Sequence, residues 1–235
     1  MASKVGERIY LNFFLEKNNW QNAEVIERES PDFEILYQNE IIGIEVTNLF
    51  SDDKGKGSSK RKTESHRYKY IHDIAKKYYS KNKTPLYVSF YFFQNANKID
   101  SDRIVKTLIH VSKHIDEYKD IKIVLFSKLE RQVKLFITRI PSDLNNYSIW
   151  ECINNCGGWV APITTSLFQT SISKKLAKIK KYKENYNKVI LLVVADGMYN
   201  SGQVMLDKSF GKIDKGGYHD IYLSLHPKEI IKVTD

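Results

Sequence analysis

Two short stretches set acidic side chains into a pattern that otherwise reads as buried sheet: Ser30-Pro31-Asp32-Phe33 and Gly43-Ile44-Glu45-Val46-Thr47. Phe33, Ile35 and Tyr37 alternate with Asp32, Glu34 and Leu36. Ile42, Ile44 and Val46 alternate with Ile41, Gly43, Glu45 and Thr47. A period of two turns the first member of each set toward a core and Asp32, Glu45 and Thr47 toward the opposite surface. Asn39, with Gln38 or Glu40 beside it, marks the chain reversal. A two-residue loop, Gln38-Asn39 or Asn39-Glu40, puts Asp32 and Glu45 on one face; a three-residue loop separates them unless a bulge restores the register. Two carboxylates so close repel each other, and a proton or a divalent cation relieves the repulsion. The bland alternative is a solvated hairpin face whose Ser-Pro-Asp simply starts a turn.

The elements that must position this pair follow in order. Residues 5 to 17 read as a helix with Ile9, Phe13 and Leu15 near its apolar stripe, and Val25-Ile26 as a short strand before the hairpin. Residues 51 to 63 carry no apolar side chain and predict a mobile loop. A helix spans about Glu64 to Tyr79, with Tyr68, Ile71, Ile74 and Ala75 inward. Leu86 to Phe93 is a nearly continuous apolar run, as in a strand covered on both faces. Asp100 or Ser101 caps a helix reaching about Ile115. Ile121–Phe126 and Val133–Thr138 are two further strands. An irregular stretch around 141–163, with Gly157-Gly158 inside it, is a lid or a wall. A long lysine-rich helix runs from Thr165 to Tyr186, then Val189 to Val194 forms a second buried strand, and Asp220 to Leu225 pairs near a sheet edge. The pattern predicts a single α/β domain over residues 1–235, a mixed central sheet flanked by helices. Helices would then cover the acidic face of the hairpin, where carboxylates need partners.

Composition agrees with one domain: 235 residues, 42% hydrophobic, 12% aromatic. No apolar run is long enough to span a bilayer. The start turns charged at once, without a signal-peptide core, which predicts a cytoplasmic protein with no membrane partner. Cys152 and Cys156 are too few for a disulfide framework or, alone, for a structural zinc site. His110 and His114 have helical i, i+4 spacing, but the intervening Val-Ser-Lys lacks the glutamate of a zinc-protease motif, so they read as surface histidines. The formal charge of +9, from 37 basic and 28 acidic residues, favours a polyanionic partner. A lysine-rich background composition accounts for it as well.

At this point the chain resembles the PD-(D/E)XK, or restriction-endonuclease-like, nucleases. The resemblance rests on Pro31-Asp32, on Glu45-Val46-Thr47 and on Glu7 in the preceding helix, and covers roughly residues 5 to 95. It implies a restriction-endonuclease-like core and a magnesium-dependent nuclease, with manganese able to substitute. Asp32 and Glu45 would be metal ligands, the Val46 carbonyl a further oxygen, and Glu7 a third carboxylate, with Glu24 and Glu27 as competitors. Magnesium keeps most of its waters and takes few protein oxygens. Thr47 departs from the family pattern, which has lysine there. Lys174, Lys175, Lys178, Lys180 and Lys181, or Lys60 and Lys62, are the candidates to replace it; Lys178, one helical turn from both Lys174 and Lys181, is preferred. Lys60, Arg61, Lys62, Arg67, Lys174 and Lys181 would contact phosphates of nucleic acid, DNA before RNA. Trp20 and Trp159 read as core before base-stacking residues. A homodimer is implied by resemblance alone. The alternative is a binding module of the same fold that has lost its chemistry, and a third reading is a subunit whose basic face docks an acidic protein.

Overall fold

The computed structural model describes residues 4–52, 57–93, 100–117, 119–127, 130–144, 147–153 and 160–233. In chain order the elements are α1 (Lys4–Lys17), β1 (Glu24–Glu27), β2 (Phe33–Tyr37), β3 (Glu40–Asn48), α2 (Ser59–Tyr79), β4 (Leu86–Phe92), α3 (Ser101–Ser112), β5 (Asp120–Ser127) and β6 (Glu130–Arg139). They continue with β7 (Glu151–Cys152), β8 (Ala161–Ile163), α4 (Thr165–Leu176), α5 (Ile179–Tyr182), β9 (Lys188–Asp196), β10 (Val204–Leu206), β11 (Asp220–His226) and β12 (Glu229–Lys232). The fold is α/β with mixed sheets flanked by helices. Where the sequence predicts one domain, the contacts cluster into two units: Met1–Arg61 with Cys156–Asp235, and Lys62–Asn155.

The first unit is built on a six-stranded sheet ordered β1-β2-β3-β9-β11-β12. Strands β1, β2 and β3 form an antiparallel meander, β9 lies parallel to β3, β11 parallel to β9, and β12 closes the edge antiparallel. The β2–β3 hairpin has the two-residue loop Gln38-Asn39, both with positive φ (50° and 64°), and Tyr37 pairs with Glu40. Two residues in this left-handed region give the twist that a tight hairpin needs. On one sheet face Phe33, Ile35, Ile42, Ile44, Val46, Ile190, Leu192 and Val194 pack against Tyr10, Leu11, Phe14 and Leu15 of α1. On the other, Val189, Leu191, Val193, Ile221 and Leu223 meet Phe168 and Ile172 of α4 and Ile179 and Tyr182 of α5. Strand β9 is buried on both faces, as its unbroken apolar run predicts.

The second unit has its own four-stranded sheet, ordered β5-β6-β4-β7. Its core joins Ile71, Ile74 and Tyr78 of α2, Val88 and Phe90 of β4, Ile104 and Leu108 of α3, Leu135 and Ile137 of β6, and Trp150. Asp100 caps α3, accepting from the backbone N–H groups of Asp102 and Arg103, and the helix ends at Ser112 rather than near Ile115.

Several sequence expectations change. The stripe of α1 runs through Tyr10, Leu11, Phe14 and Leu15, while Ile9 is 52% exposed; the rotation brings the Tyr10 hydroxyl to Asp196 Oδ2 at 2.6 Å. Strand β4 belongs to the second unit, with Leu86, Val88 and Phe90 buried but Tyr87, Tyr91 and Phe92 half-buried; the parallel neighbour of β3 is β9. Residues 59–63, expected in a loop, form the first turn of α2. Ser58 Oγ accepts from Arg61 N and Asp52 Oδ2 accepts from Lys60 N at 3.0 Å, which satisfies the helix's free donors. The expected long helix from Thr165 to Tyr186 is two helices, α4 and α5. Ala177 caps α4 with its N–H on the Lys175 carbonyl, and the Tyr218 hydroxyl donates to that same carbonyl at 3.0 Å. Within the stretch around 141–163, β7 and β8 are regular, and Gly157, Gly158, Trp159 and Cys156 lie outside the described residues. Among the described residues no helix is long and apolar enough to cross a membrane.

Gly43 of β3 is where the hairpin meets the segment leading to Asp32. A Cβ there would stand 2.9 Å from Pro31 Cγ and 3.3 Å from the Tyr186 ring. Gly43→Val is therefore expected to overpack this spot, costing about 2 kcal/mol, and to lower the urea midpoint at unchanged slope.

Candidate active site

Register fixes the first relation. Phe33 pairs with Ile44, so Asp32 stands opposite Glu45 just beyond the end of β2. The Asp32 carboxylate extends the ladder: its Oδ2 accepts from the Val46 N–H at 2.8 Å, a donor that β2 does not reach. Glu45 turns toward α4 and α5 and is 1% exposed.

A carboxylate so deeply buried requires compensation, and it has it. Lys175 Nζ donates to Glu45 Oε1 and lies 3.3 Å from the Val46 carbonyl oxygen. The Tyr182 hydroxyl donates to Glu45 Oε2 at 2.9 Å. Lys178 Nζ stands 3.6 Å from Oε1, on a side chain 54% exposed. Burial, then the charge of Glu45 and the hydrogen bond to it, push the Tyr182 hydroxyl well above its ordinary pKa, so it remains a donor.

Helix α1 brings the remaining charges. Lys4 Nζ lies 3.7 Å from both Glu7 Oε2 and Asp32 Oδ1. The Tyr10–Asp196 hydrogen bond, one turn after Glu7, fastens this helix to the end of β9. Burial and, next, the charge of Glu45 raise the Asp32 pKa; the Val46 N–H and the Lys175 and Lys4 ammoniums pull it down less. Glu7 is raised by burial first and by Asp32 second, against Lys4 and Lys175. Glu24 and Glu27 are exposed on the edge strand β1.

Of the residues singled out in the sequence, the structure thus brings together Asp32, Glu45, Glu7 and Lys178. The ammonium bonded to Glu45 belongs to Lys175, however, rather than to the preferred Lys178. Thr47 lies two residues beyond Glu45 on the same side of β3 and is half-buried. Lys174 and Lys181 are exposed on α4 and α5. Lys60 Nζ donates to Ser51 Oγ at 3.2 Å, and the Arg61 guanidinium lies over the Tyr199 ring, 3.9 Å from its centre. Lys62 and Arg67 belong to the second unit, where Arg67 sits over Phe92. Trp20 stacks on Tyr37 and meets Phe14 edge-on, a packing role. His110 and His114 are exposed.

Sequence reasoning missed Tyr182 and Lys4 and ranked Lys175 too low. The signal was present. Phe168, Ile172, Lys175, Ile179, Tyr182 and Tyr186 recur at alternating steps of four and three, one face of a helix. Lys175 is the charged residue in that apolar stripe, whereas Lys178 lies beside it.

Asp32, Glu45, the Val46 carbonyl and Glu7 are all hard oxygen donors, the type that magnesium takes. Among the described residues no group of three or more His, Cys, Asp or Glu side chains is arranged to hold a metal; a cation here would rest on the Asp32 and Glu45 carboxylates and a backbone oxygen. The donor chemistry fits, and the cation that touches Glu45 and Val46 is the Lys175 ammonium.

The raised pKa of Asp32 has a definite sign. An acid that binds its proton more tightly when folded adds stability below its unfolded pKa and loses it as pH rises through the folded value. At neutral pH the ionised carboxylate therefore weighs against the fold. Asp32→Asn retains an acceptor for Val46 N–H, and its melting temperature at pH 7 to 8 is expected to exceed that of the parent by a few degrees. The gain should shrink toward pH 4 in a thermal melt series. Glu45→Ala, which strands the Lys175 ammonium and the Tyr182 hydroxyl, is expected to cost about 3 kcal/mol by urea denaturation.

Comparison of the chain with protein-family models, with curated proteins and with solved structures finds no match.

Proposed function

We propose that this protein is a magnesium-dependent nuclease with a restriction-endonuclease-like core, hydrolysing phosphodiester bonds of DNA. The observation that carries the reading is the convergence on Glu45 of a lysine from another element, beside an aspartate fixed to the next backbone amide. That lysine stands in for the one the motif lacks at Thr47. The antiparallel meander β1–β3 continued by parallel β9, with α1 on one face and α4 and α5 on the other, supports this reading.

Each residue then has a task. Magnesium, when bound, supplies a water of lowered pKa and positive charge against the phosphorane oxygens. Tyr182 holds the Glu45 carboxylate in one orientation. The Val46 N–H holds Asp32. Lys175 presents an ammonium to the attacking water or to a non-bridging phosphate oxygen, as the motif lysine would. Lys178, more exposed, and Lys174 and Lys181 on the outer side of the same helices offer further charges to the backbone of the nucleic acid. Glu7, from the opposite helix, shares the Lys4 ammonium with Asp32 at the edge of the site.

A second reading has one observation in its favour: Lys175 already bonds both oxygens that a cation would share, which suits a nucleic-acid-binding module without chemistry. Incubation with plasmid, linear duplex, single-stranded DNA and RNA, with magnesium or with chelator, separates the two. The nuclease reading expects chelator-sensitive cleavage that falls at least about a thousandfold in Asp32→Asn, a variant that retains the fold. Salt-sensitive binding of these substrates without any cleavage would favour the binding module instead.

A further inference from the structure

The charges of the site balance before any metal arrives. Glu7, Asp32 and Glu45 contribute three carboxylates, and Lys4, Lys175 and Lys178 lie within ion-pair distance of them. The balance is not diffuse. Lys175 Nζ donates to Glu45 Oε1 and stands 3.3 Å from the Val46 oxygen, the same two atoms that a cation at this site would bond. Magnesium held by these hard oxygens would compete with the ammonium for them. Its charge and that of Lys175 would then face each other across a largely desolvated carboxylate, where like charges repel strongly.

Resting on the nuclease reading, we infer that Lys175 is the resident counter-cation of this site and that metal binding is an exchange: the dication enters only as the ammonium leaves Glu45 Oε1 and Val46 O. The side chain is built for it. The Lys175 side chain is 22% exposed and that of Glu45 2%, so solvent reaches the lysine side chain but hardly the carboxylate. Tyr182 keeps Glu45 Oε2 bonded during the exchange. The displaced ammonium is released on the side where Lys178 is exposed, where a phosphate oxygen would receive it. Metal affinity of the free protein is thereby set by Lys175 as much as by the carboxylates.

Manganese titration followed by the electron paramagnetic resonance of the free ion tests this without an activity assay. Lys175→Met and Lys175→Gln, with folding checked by circular dichroism, are expected to bind Mn2+ at least about tenfold more tightly than the parent chain, because a competing cation has been removed. Lys178→Met should change affinity far less. Equal or weaker binding in both Lys175 variants overturns the exchange while leaving a metal site in place. No binding by the parent or by either variant at millimolar Mn2+ removes the metal-dependent reading itself. A manganese-soaked crystal of the parent protein gives a readout independent of variant folding. Metal at Glu45 Oε1 with the Lys175 amine moved away supports the exchange; metal there with the amine still bonded refutes it.

Discussion

Glu45 is the residue on which the arrangement turns. A lone carboxylate at 1% exposure would carry a desolvation penalty of several kcal/mol, so its partners have to be supplied by whatever covers that face of the sheet. They come from α4 and α5, and this fixes how those helices lie. Lys175 and Tyr182 are two helical turns apart, on the side that also buries Phe168, Ile172 and Ile179. The interruption at Ala177 does not spoil the stripe, and Tyr218 takes up the Lys175 carbonyl there. One buried charge thus selects the rotation of two helices, and the apolar residues around it supply the adhesion.

The same logic governs the edge of the site. Asp32 stands where β2 has not yet begun, and its carboxylate satisfies a backbone donor of β3. That bond lowers the Asp32 pKa, but burial and Glu45 outweigh it. The fold therefore keeps Asp32 in a setting that opposes its ionisation, through burial and the neighbouring charge of Glu45. Lys4 and Lys175 moderate it from opposite sides of the sheet.

How much of this was legible in the sequence depends on the range of the interactions. The hairpin could be read almost completely, because register follows from a period of two and a turn residue, and both are local. The doubly buried β9 announced itself through an unbroken apolar run. The neighbour of β3 could not be read, because Leu86–Phe92 and Val189–Val194 look alike as strings and only long-range packing decides which joins the hairpin. The break after Leu176 was hidden too: no glycine or proline marks it, and the carbonyl there is bonded by a tyrosine some forty residues later. Lys175 was recoverable in principle, since a lysine in a stripe of Phe, Ile and Tyr must have a buried anion to meet.

The order of these pieces along the chain has a consequence for biosynthesis. Gly43 pairs with Val189 and Glu45 with Leu191, and everything from Lys62 to Asn155 is translated between them. A nascent chain therefore exposes the hairpin, with one long margin of β3 unpaired, throughout the synthesis of the second unit, whose own core is complete by then. Glu45 emerges from the ribosome long before Lys175 does. Until it does, the segment that will hold the acidic pair is an open β-edge in search of a partner, the state in which chaperone capture or mispairing between chains is most to be expected.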